Sequence, residues 1–139
     1  MRPASFRATN ATFEPAIPFG HGGSYTTFTW SAPRLTGSGP DVVLEVDVAN
    51  AGERPGAEVV QVYVEPLDPP VDRLLRHLAG FAKVRTDAGA SATARIEFGE
   101  VAFRRWDVDS GGWVVDEGDD DLVVAASAVD RRSRVRHRI

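Results

Sequence analysis

The amino-acid sequence predicts an all-β fold, a β-sandwich of seven or eight short strands behind an irregular N-terminal segment. Valine occurs 18 times and leucine 7 times, and β-branched residues favour strands whereas leucine favours helices. Runs of strand-forming residues recur at intervals of roughly 8–12 residues, which is typical of a sandwich. The 13 glycines and 9 prolines supply turns between these runs.

The first 23 residues are interpreted as a lead-in to the domain, because prolines and glycines interrupt them and no helical period runs through them. The sandwich is therefore predicted to occupy residues 24–139. We expect its first strand at residues 24–31. A turn is expected at residues 36–40, where glycine, serine and proline cluster.

Two strands are defined best by their side-chain patterns. Residues 42–49 alternate between apolar and mostly polar positions, which predicts a strand with one buried face. Residues 59–65 are largely apolar on both faces, which predicts a central strand. The other predicted elements are a helical turn at 71–78 and strands at 81–84, 92–98, 101–108, 113–115, 122–126 and 133–139.

Composition excludes several classes of function. The chain has no cysteine, so disulfides, thiolate metal sites and a cysteine nucleophile are impossible. Its formal net charge of -4 argues against nucleic acid as a partner. We expect no membrane partner, since no apolar run approaches the roughly 18 residues of a membrane span. The N-terminus lacks the apolar region of a secretory signal, which slightly favours a cytoplasmic location.

Two charged segments need an interpretation. Five carboxylates crowd residues 116–121, and clustered oxygen ligands suit calcium, but the spacing does not match an EF-hand loop. We interpret the segment as a solvated acidic turn that faces arginines, and we predict no metal site. Arginines alternate along residues 132–138, which predicts an edge strand or tail. Contact with another domain is the alternative, and a nucleic-acid arm is the least favoured reading.

The histidines, glycines and tryptophans suggest no catalytic site. His21, His77 and His137 lie on three different segments and are expected at the surface or in the linker. The glycines at 20–23 lack the Lys-Ser/Thr of a phosphate loop, so no cofactor is predicted. The tryptophans are expected in the core, with a sugar-stacking platform or a domain interface as alternatives; they are Trp30, Trp106 and Trp113.

Four motifs follow one another between about residues 15 and 130. Residues 18–28 read PFGHGGSYTTF, residues 48–64 read VANAGERPGAEVVQVYV, and residues 73–84 read RLLRHLAGFAKV. The closing segment keeps Trp106-Asp, Gly112-Trp113-Val-Val, Glu117-Gly118 and Ser127 in order. These motifs resemble four that occur in the same order in glycoside hydrolase family 3: PFGxGLSYTxF, VxNTGxxxGxEVVQxYV, RPxxxLxGFxKV and the family's closing segment. That family includes β-glucosidases and β-xylosidases.

The sequence departs from that family's pattern in places. The departures are Gly23 for the usual Leu, Leu74 for Pro, Ala88 and Ala90 for Pro and Glu, Asp121 for an aromatic residue, and Ala125-Ala126 for a Gly. Loss of an aromatic residue and two prolines weakens packing and turn rigidity, so we expect the fold to persist with reduced stability.

The resemblance implies that the chain is the C-terminal fibronectin type III-like domain of a β-glucosidase-type enzyme. Members of that family carry an aspartate nucleophile in an N-terminal barrel. No segment here resembles the nucleophile's Ser-Asp-Trp context, so the chain alone is expected to be inactive, with no catalytic, cofactor-binding or metal-binding residues. The implied partners are the catalytic domains of the same glycosidase, with a β-linked sugar expected at the rim of their pocket.

The resemblance also implies that residues 18–28 link two domains. The docking candidates are Pro18, Phe19, Gly20, His21, Gly22, Ser24 and Tyr25, and the side chains expected to face a neighbouring domain are Phe6, Phe13, Ile17 and Phe19. The alternatives are a free-standing carbohydrate-binding module, which needs exposed tryptophans, and a structural sandwich, which needs no apolar docking patch.

Overall fold

The structure, a computed structural model, describes residues 16–71 and 75–139. The strands found there are β1 Phe28–Trp30, β2 Arg34–Ser38, β3 Asp41–Asn50, β4 Gly56–Pro66, β5 His77–Thr86, β6 Ser91–Phe98, β7 Arg104–Asp107, β8 Gly112–Val115, β9 Asp119–Ala125 and β10 Arg131–Arg138, and one short helix is α1 Glu100–Phe103. The all-β prediction is confirmed. Within the described ranges, this helix is too short to cross a membrane.

Two antiparallel four-stranded sheets build the sandwich. In the first sheet, β3 pairs with β6 along one edge and with β2 and then β1 along the other. The second sheet has the order β10-β9-β4-β5. The hairpin of β7 and β8 is a separate two-stranded ribbon. Strand β4 lies between two neighbours, which confirms its predicted central position.

The core lies between the two sheets and is made largely of valine. Val46 and Val48 of β3 face Val60 and Val62 of β4 in one cluster, and all four are 0% exposed. Burying each such side chain stabilises the fold by about 1.5–3 kcal/mol. The predicted buried face of residues 42–49 is confirmed, because buried and partly exposed residues alternate along β3.

Gly80 of β5 lets the sheets approach closely. It pairs with Val62, and a Cβ atom built at Gly80 would lie 2.7 Å from Cγ2 of Ile96 and 3.1 Å from the Phe98 ring. Real Cβ atoms do not come within 3.0 Å of other heavy atoms. A larger residue at position 80 would therefore push β5 and β6 apart.

Several predicted boundaries are wrong. Ten strands are found in the described residues, more than the seven or eight expected. The strand predicted at 24–31 shrinks to Phe28–Trp30, because the residues before it pack as a loop. The turn predicted at 36–40 is largely strand β2, since its backbone pairs with the start of β3.

Further corrections concern residues 71–126. Of the helical turn predicted at 71–78, residues 72–74 lie outside the described residues, and His77 and Leu78 belong to β5, where backbone pairing with β4 overrides a weak helical period. The strand predicted at 101–108 begins with α1. The turn predicted at 116–121 gives way at Asp119 to β9, which pairs with β10.

Candidate docking site

Residues 16–26, here called the strap, lie over the outer face of the second sheet, where they contact β4 and the β9–β10 loop. The strap turns at Gly20, where φ is +77° and where the His21 amide donates to the Pro18 carbonyl over 3.1 Å. Such a positive φ is costly for residues other than glycine. The Ala128 amide donates to the Phe19 carbonyl over 2.8 Å, which fixes the strap to the β9–β10 loop.

A buried glutamine holds the strap from below. Gln61 is 5% exposed; its Nε2 donates to the Ala126 carbonyl over 3.1 Å and to the Gly20 carbonyl over 3.4 Å. The Tyr63 hydroxyl donates to Oε1 of Gln61 over 2.7 Å, and burial raises the pKa of Tyr63. A Cβ atom at Gly20 would collide with the Gln61 amide. We call Gly20, Gln61 and Tyr63 the clamp.

Asn50 anchors the other end of the strap. It is 2% exposed, and its Oδ1 accepts from the Thr26 hydroxyl over 2.6 Å and from the Gly52 amide over 3.0 Å. Its Nδ2 donates to the Arg54 carbonyl over 2.7 Å. One neutral side chain therefore joins the end of the strap to the loop between β3 and β4.

An open cavity of about 380 Å³ lies beneath the strap. Gly22 and Gly23 line it, and a Cβ atom at either position would meet no atom within 4 Å. Glu58, Asp130 and Arg132 supply its polar wall. Burial raises the pKa of Glu58. The cavity lies beside Gly23, which stands where glycoside hydrolase family 3 usually has a leucine.

The outer face of the second sheet carries more cations than carboxylates. Residues on this face include Tyr63 and Val123, which are paired in register and buried. Its cations are Arg76, Lys83, Arg85, Arg131, Arg134, Arg136 and Arg138, and its carboxylates are Glu65, Asp119 and Asp121. We call it the basic face: among the residues that the structure describes, seven cations stand against three carboxylates on it, in a chain of net charge -4.

The acidic turn and the arginine tail meet on this face. Arg136 Nε donates to Asp121 Oδ1 over 2.8 Å, and Arg134 contributes a longer contact of 3.4 Å. Arg131 pairs with Glu65. The prediction that the acids face arginines is confirmed, but Asp121 is 3% exposed and so is not a solvated residue. The arginines lie along β10, which confirms the predicted edge strand.

The strap and the basic face together leave large apolar side chains exposed. The exposed fractions are 74% for Ile17, 67% for Phe19, 66% for Phe81 and 52% for Val129. These residues surround the clamp, since Phe81 pairs with Gln61, Phe19 precedes Gly20, and Val129 follows the Ala128 that bonds to the strap. We call these four exposed residues, which lie on the strap, on β5 and on the β9–β10 loop, the apolar patch.

A second exposed surface lies on the β7–β8 hairpin. Trp106 and Trp113 pair across the strands, with ring centroids 5.5 Å apart at an angle of 81°. They are 51% and 55% exposed, so the expectation that the tryptophans lie in the core is wrong for both. The two tryptophans pair across a two-stranded ribbon that lies outside both sheets, so the sandwich leaves about half of each side chain uncovered. Trp30 is partly buried against the core.

Charged groups hold this hairpin in place. Arg105 donates through Nε and Nη2 to both carboxylate oxygens of Asp116, over 2.6 and 2.9 Å, and through Nη1 to Asp107 over 3.0 Å. Hydrogen bonds from Ser110, with the Arg105 guanidinium, lower the pKa of Asp107 to about 2. Arg104 lies over the Trp113 ring, 4.5 Å from its centroid.

The sequence-predicted docking candidates fall on one continuous surface. Phe19, Gly20, His21, Gly22, Ser24 and Tyr25 are exposed along the strap, and Pro18 is partly buried at its turn. Phe6 and Phe13 lie outside the described residues. His137 is an exception to the prediction for the histidines, since it is 9% exposed and its Nε2 lies 2.6 Å from the Gly39 carbonyl. Among the described residues, no group of three His, Asp or Glu side chains is placed to hold a metal ion.

Comparison with known proteins identifies the domain type. A family described as fibronectin type III-like domain matches residues 58–128. The β-glucosidase of Rhizobium radiobacter is 42% identical over an alignment of 125 positions that covers 88% of this chain and 15% of that protein. A β-glucosidase from Kluyveromyces marxianus in complex with glucose superposes with a TM-score of 0.86 at 33% identity, over 91% of this chain and 15% of that one.

A family 3 β-glucosidase from Bifidobacterium adolescentis gives a TM-score of 0.83 at 32% identity, over 88% of this chain and 18% of that one. The sandwich and these matches define a fibronectin type III-like domain. The chain belongs to that family, in the form found in the β-glucosidases of glycoside hydrolase family 3. It spans about 15% of the length of the curated β-glucosidase that it matches.

Proposed function

We propose that this domain is the non-catalytic accessory module of a family 3 β-glucosidase and that it stabilises the sugar-cleaving domains. The proposal is supported by the way in which the strap is attached to the sandwich. Its motif residues are fixed to the sandwich by the clamp, while Ile17 and Phe19 point their apolar side chains away from it, 74% and 67% exposed. Two large apolar side chains held in water do not stabilise an isolated domain. In a linker between two domains, the same side chains can be buried against the neighbouring domain.

The proposed division of the chain follows from this. Residues 1–23 belong to the linker and the preceding domain, and residues 24–139 form the module. We also propose a finer role for this module, in which one of its loops contributes residues to the rim of the sugar pocket in the neighbouring domains. A purely structural sandwich is disfavoured, because it would leave the patch around Phe19 and Phe81 without a purpose.

Replacement of the matched segment in the Rhizobium radiobacter β-glucosidase by this chain tests the proposal. We expect this chimera to hydrolyse 4-nitrophenyl β-glucoside and to melt well above the same enzyme with the segment deleted. The isolated 139-residue chain should show no heat-labile hydrolysis. Activity in the isolated chain, or a chimera no more stable than the deletion, would contradict the proposal.

A second candidate is sugar binding by the hairpin, which the half-exposed Trp106 and Trp113 favour. Sugars stack on flat, open aromatic faces. Here the rings stand at 81° and Arg104 covers part of Trp113, so the hairpin offers no extended platform. Titration of the chain with cellobiose, followed by tryptophan fluorescence, decides the matter. A saturable change that Trp106→Ala removes establishes sugar binding, and no change rejects it.

A further inference from the structure

We propose that the basic face, with the strap lying on it, is the docking surface of this domain, and that its partner is an acidic protein surface on the sugar-cleaving part of the same glycosidase. This inference rests on the proposed function and adds to it the face, the charge and the orientation of the contact.

The direction of the chain is the first argument. The strap is bonded to Gln61 and Ala128, which lie on or beside the outer face of the second sheet. The first described residues, Ala16 and Ile17, therefore lie a few residues from these two anchors, on this side of the domain. A domain that precedes the strap by a few residues is held over the basic face, because each residue of chain extends its reach by only about 3.3–3.6 Å.

The apolar patch is the second argument. Ile17, Phe19, Phe81 and Val129 are all more than half exposed and surround the clamp. Phe81 is the most informative of these, because it lies in a strand of the sandwich and not on the strap. The apolar surface thus continues from the linker onto the sheet, as it would if one partner covered both.

Charge is the third argument and gives the chemistry of the partner. The basic face is net positive although the whole chain is net negative. Two of its carboxylates are largely covered, since the side chain of Asp121 is 4% exposed and that of Glu65 is 19% exposed. The arginines remain open, with 71% of Arg134 and 81% of Arg138 accessible. Complementary charge across an interface fixes its register and excludes wrong partners.

The hairpin is the competing surface. Its tryptophans and Arg104 have the composition of a binding hot spot, but it lies beside the end of β4, whereas the strap lies beside its start. The basic face has both the attached strap and an excess of cations, so we assign the docking surface to it.

Hydroxyl-radical footprinting of the isolated chain and of the chimera described above tests the assignment. We expect oxidation of Phe19 and Phe81 to fall about fivefold in the chimera, as their rings become part of a buried interface centre. Trp106 and Trp113 should be oxidised equally in both proteins. Protection of the tryptophans with Phe19 and Phe81 unprotected would overturn the assignment while the proposed function stands. No protection at either surface would refute both.

Charge reversal gives an independent readout. Lys83→Glu lies on the basic face, and Arg54→Glu is the matched control, an exposed cation on the loop between β3 and β4. We expect Lys83→Glu to lower the melting temperature of the chimera but not that of the isolated chain, and Arg54→Glu to lower neither. Equal effects of the two variants would contradict an acidic partner. Tight binding of the isolated chain to polyuridylate or to phosphatidylserine vesicles would show that the face serves another anion.

Discussion

The strap and the β7–β8 hairpin both expose large aromatic side chains, but they are attached to the sandwich by different chemistry. Neutral, buried side chains hold the strap: Asn50, Gln61 and Tyr63 are each 5% exposed or less. Ion pairs hold the hairpin, through Arg105, Asp107 and Asp116, whose side chains are 16–22% exposed. Buried neutral hydrogen bonds are insensitive to salt and pH, whereas partly exposed ion pairs respond to both. The attachment of the strap should therefore depend less on salt and pH than that of the hairpin.

Loss of Asn50 should have the largest effect. Asn50→Ala leaves the Thr26 hydroxyl and the Gly52 amide without their acceptor, so we expect the free energy of unfolding to fall by about 2–4 kcal/mol. Urea unfolding at pH 7 and pH 5 measures it and should give the same loss at both. Thr26→Val, which removes a single one of these bonds, is the control. An Asn50→Ala loss no greater than that of Thr26→Val would show that Asn50 is not the anchor.

A side chain at Gly20 should disturb the clamp. Gly20→Ala places a Cβ atom against the Gln61 amide at a φ of +77°, and we expect a loss of about 1–3 kcal/mol in thermal unfolding. Gly22→Ala is the matched control, because its Cβ meets no atom within 4 Å. Equal melting temperatures for the two variants would mean that the strap does not rest on Gln61.

The hairpin should respond to acid where the strap does not. The pKa of Asp107 is lowered to about 2 in the folded protein, so its contribution to stability is present above the unfolded value of about 3.9 and is lost as the pH falls towards 2. We expect the emission of Trp106 and Trp113 to shift over this window. Asp107→Asn should remove the shift, and Asp109→Asn should leave it. A shift that persists in Asp107→Asn would assign it to another carboxylate.

Filling the cavity under the strap should give the smallest effect, and of opposite sign. Gly23 lies beside empty space, so Gly23→Leu is expected to stabilise the chain by about 0.5–1.5 kcal/mol through reduced unfolded-state entropy and new apolar burial. Gly23→Ala separates the entropy from the burial. Calorimetric melting temperatures should rise in the order Gly, Ala, Leu. A Leu variant less stable than the Ala variant would show that the cavity does not accept the side chain.

Local patterns predicted the elements that depend on burial alone. The alternation of residues 42–49 determined β3 and its buried face, because a one-residue shift would expose Val42, Val46 and Val48. The motif resemblance correctly indicated the fold and the family. The exposure of the tryptophans on the hairpin was harder to predict. Whether a tryptophan is buried depends on which distant segments pack over it, and local sequence patterns do not contain this information.

The clamp could not be predicted for a related reason. Gln61 lies in a valine-rich strand, where its polarity was the one available signal, but its partners are 41 and 65 residues away. Asp121 likewise reads as part of a solvated acidic run. It is buried because the register of β10 brings Arg134 and Arg136 over it, and the register of two strands is not visible in their composition.

The most direct test of the account compares one aromatic residue from each surface in the isolated chain and in the chimera with the Rhizobium radiobacter enzyme. Phe81→Ala and Trp106→Ala each remove an exposed ring. We expect Phe81→Ala to lower the melting temperature of the chimera but not that of the isolated chain, and Trp106→Ala to change the two proteins equally. A chimera that tolerates Phe81→Ala but is destabilised by Trp106→Ala would contradict docking through the basic face.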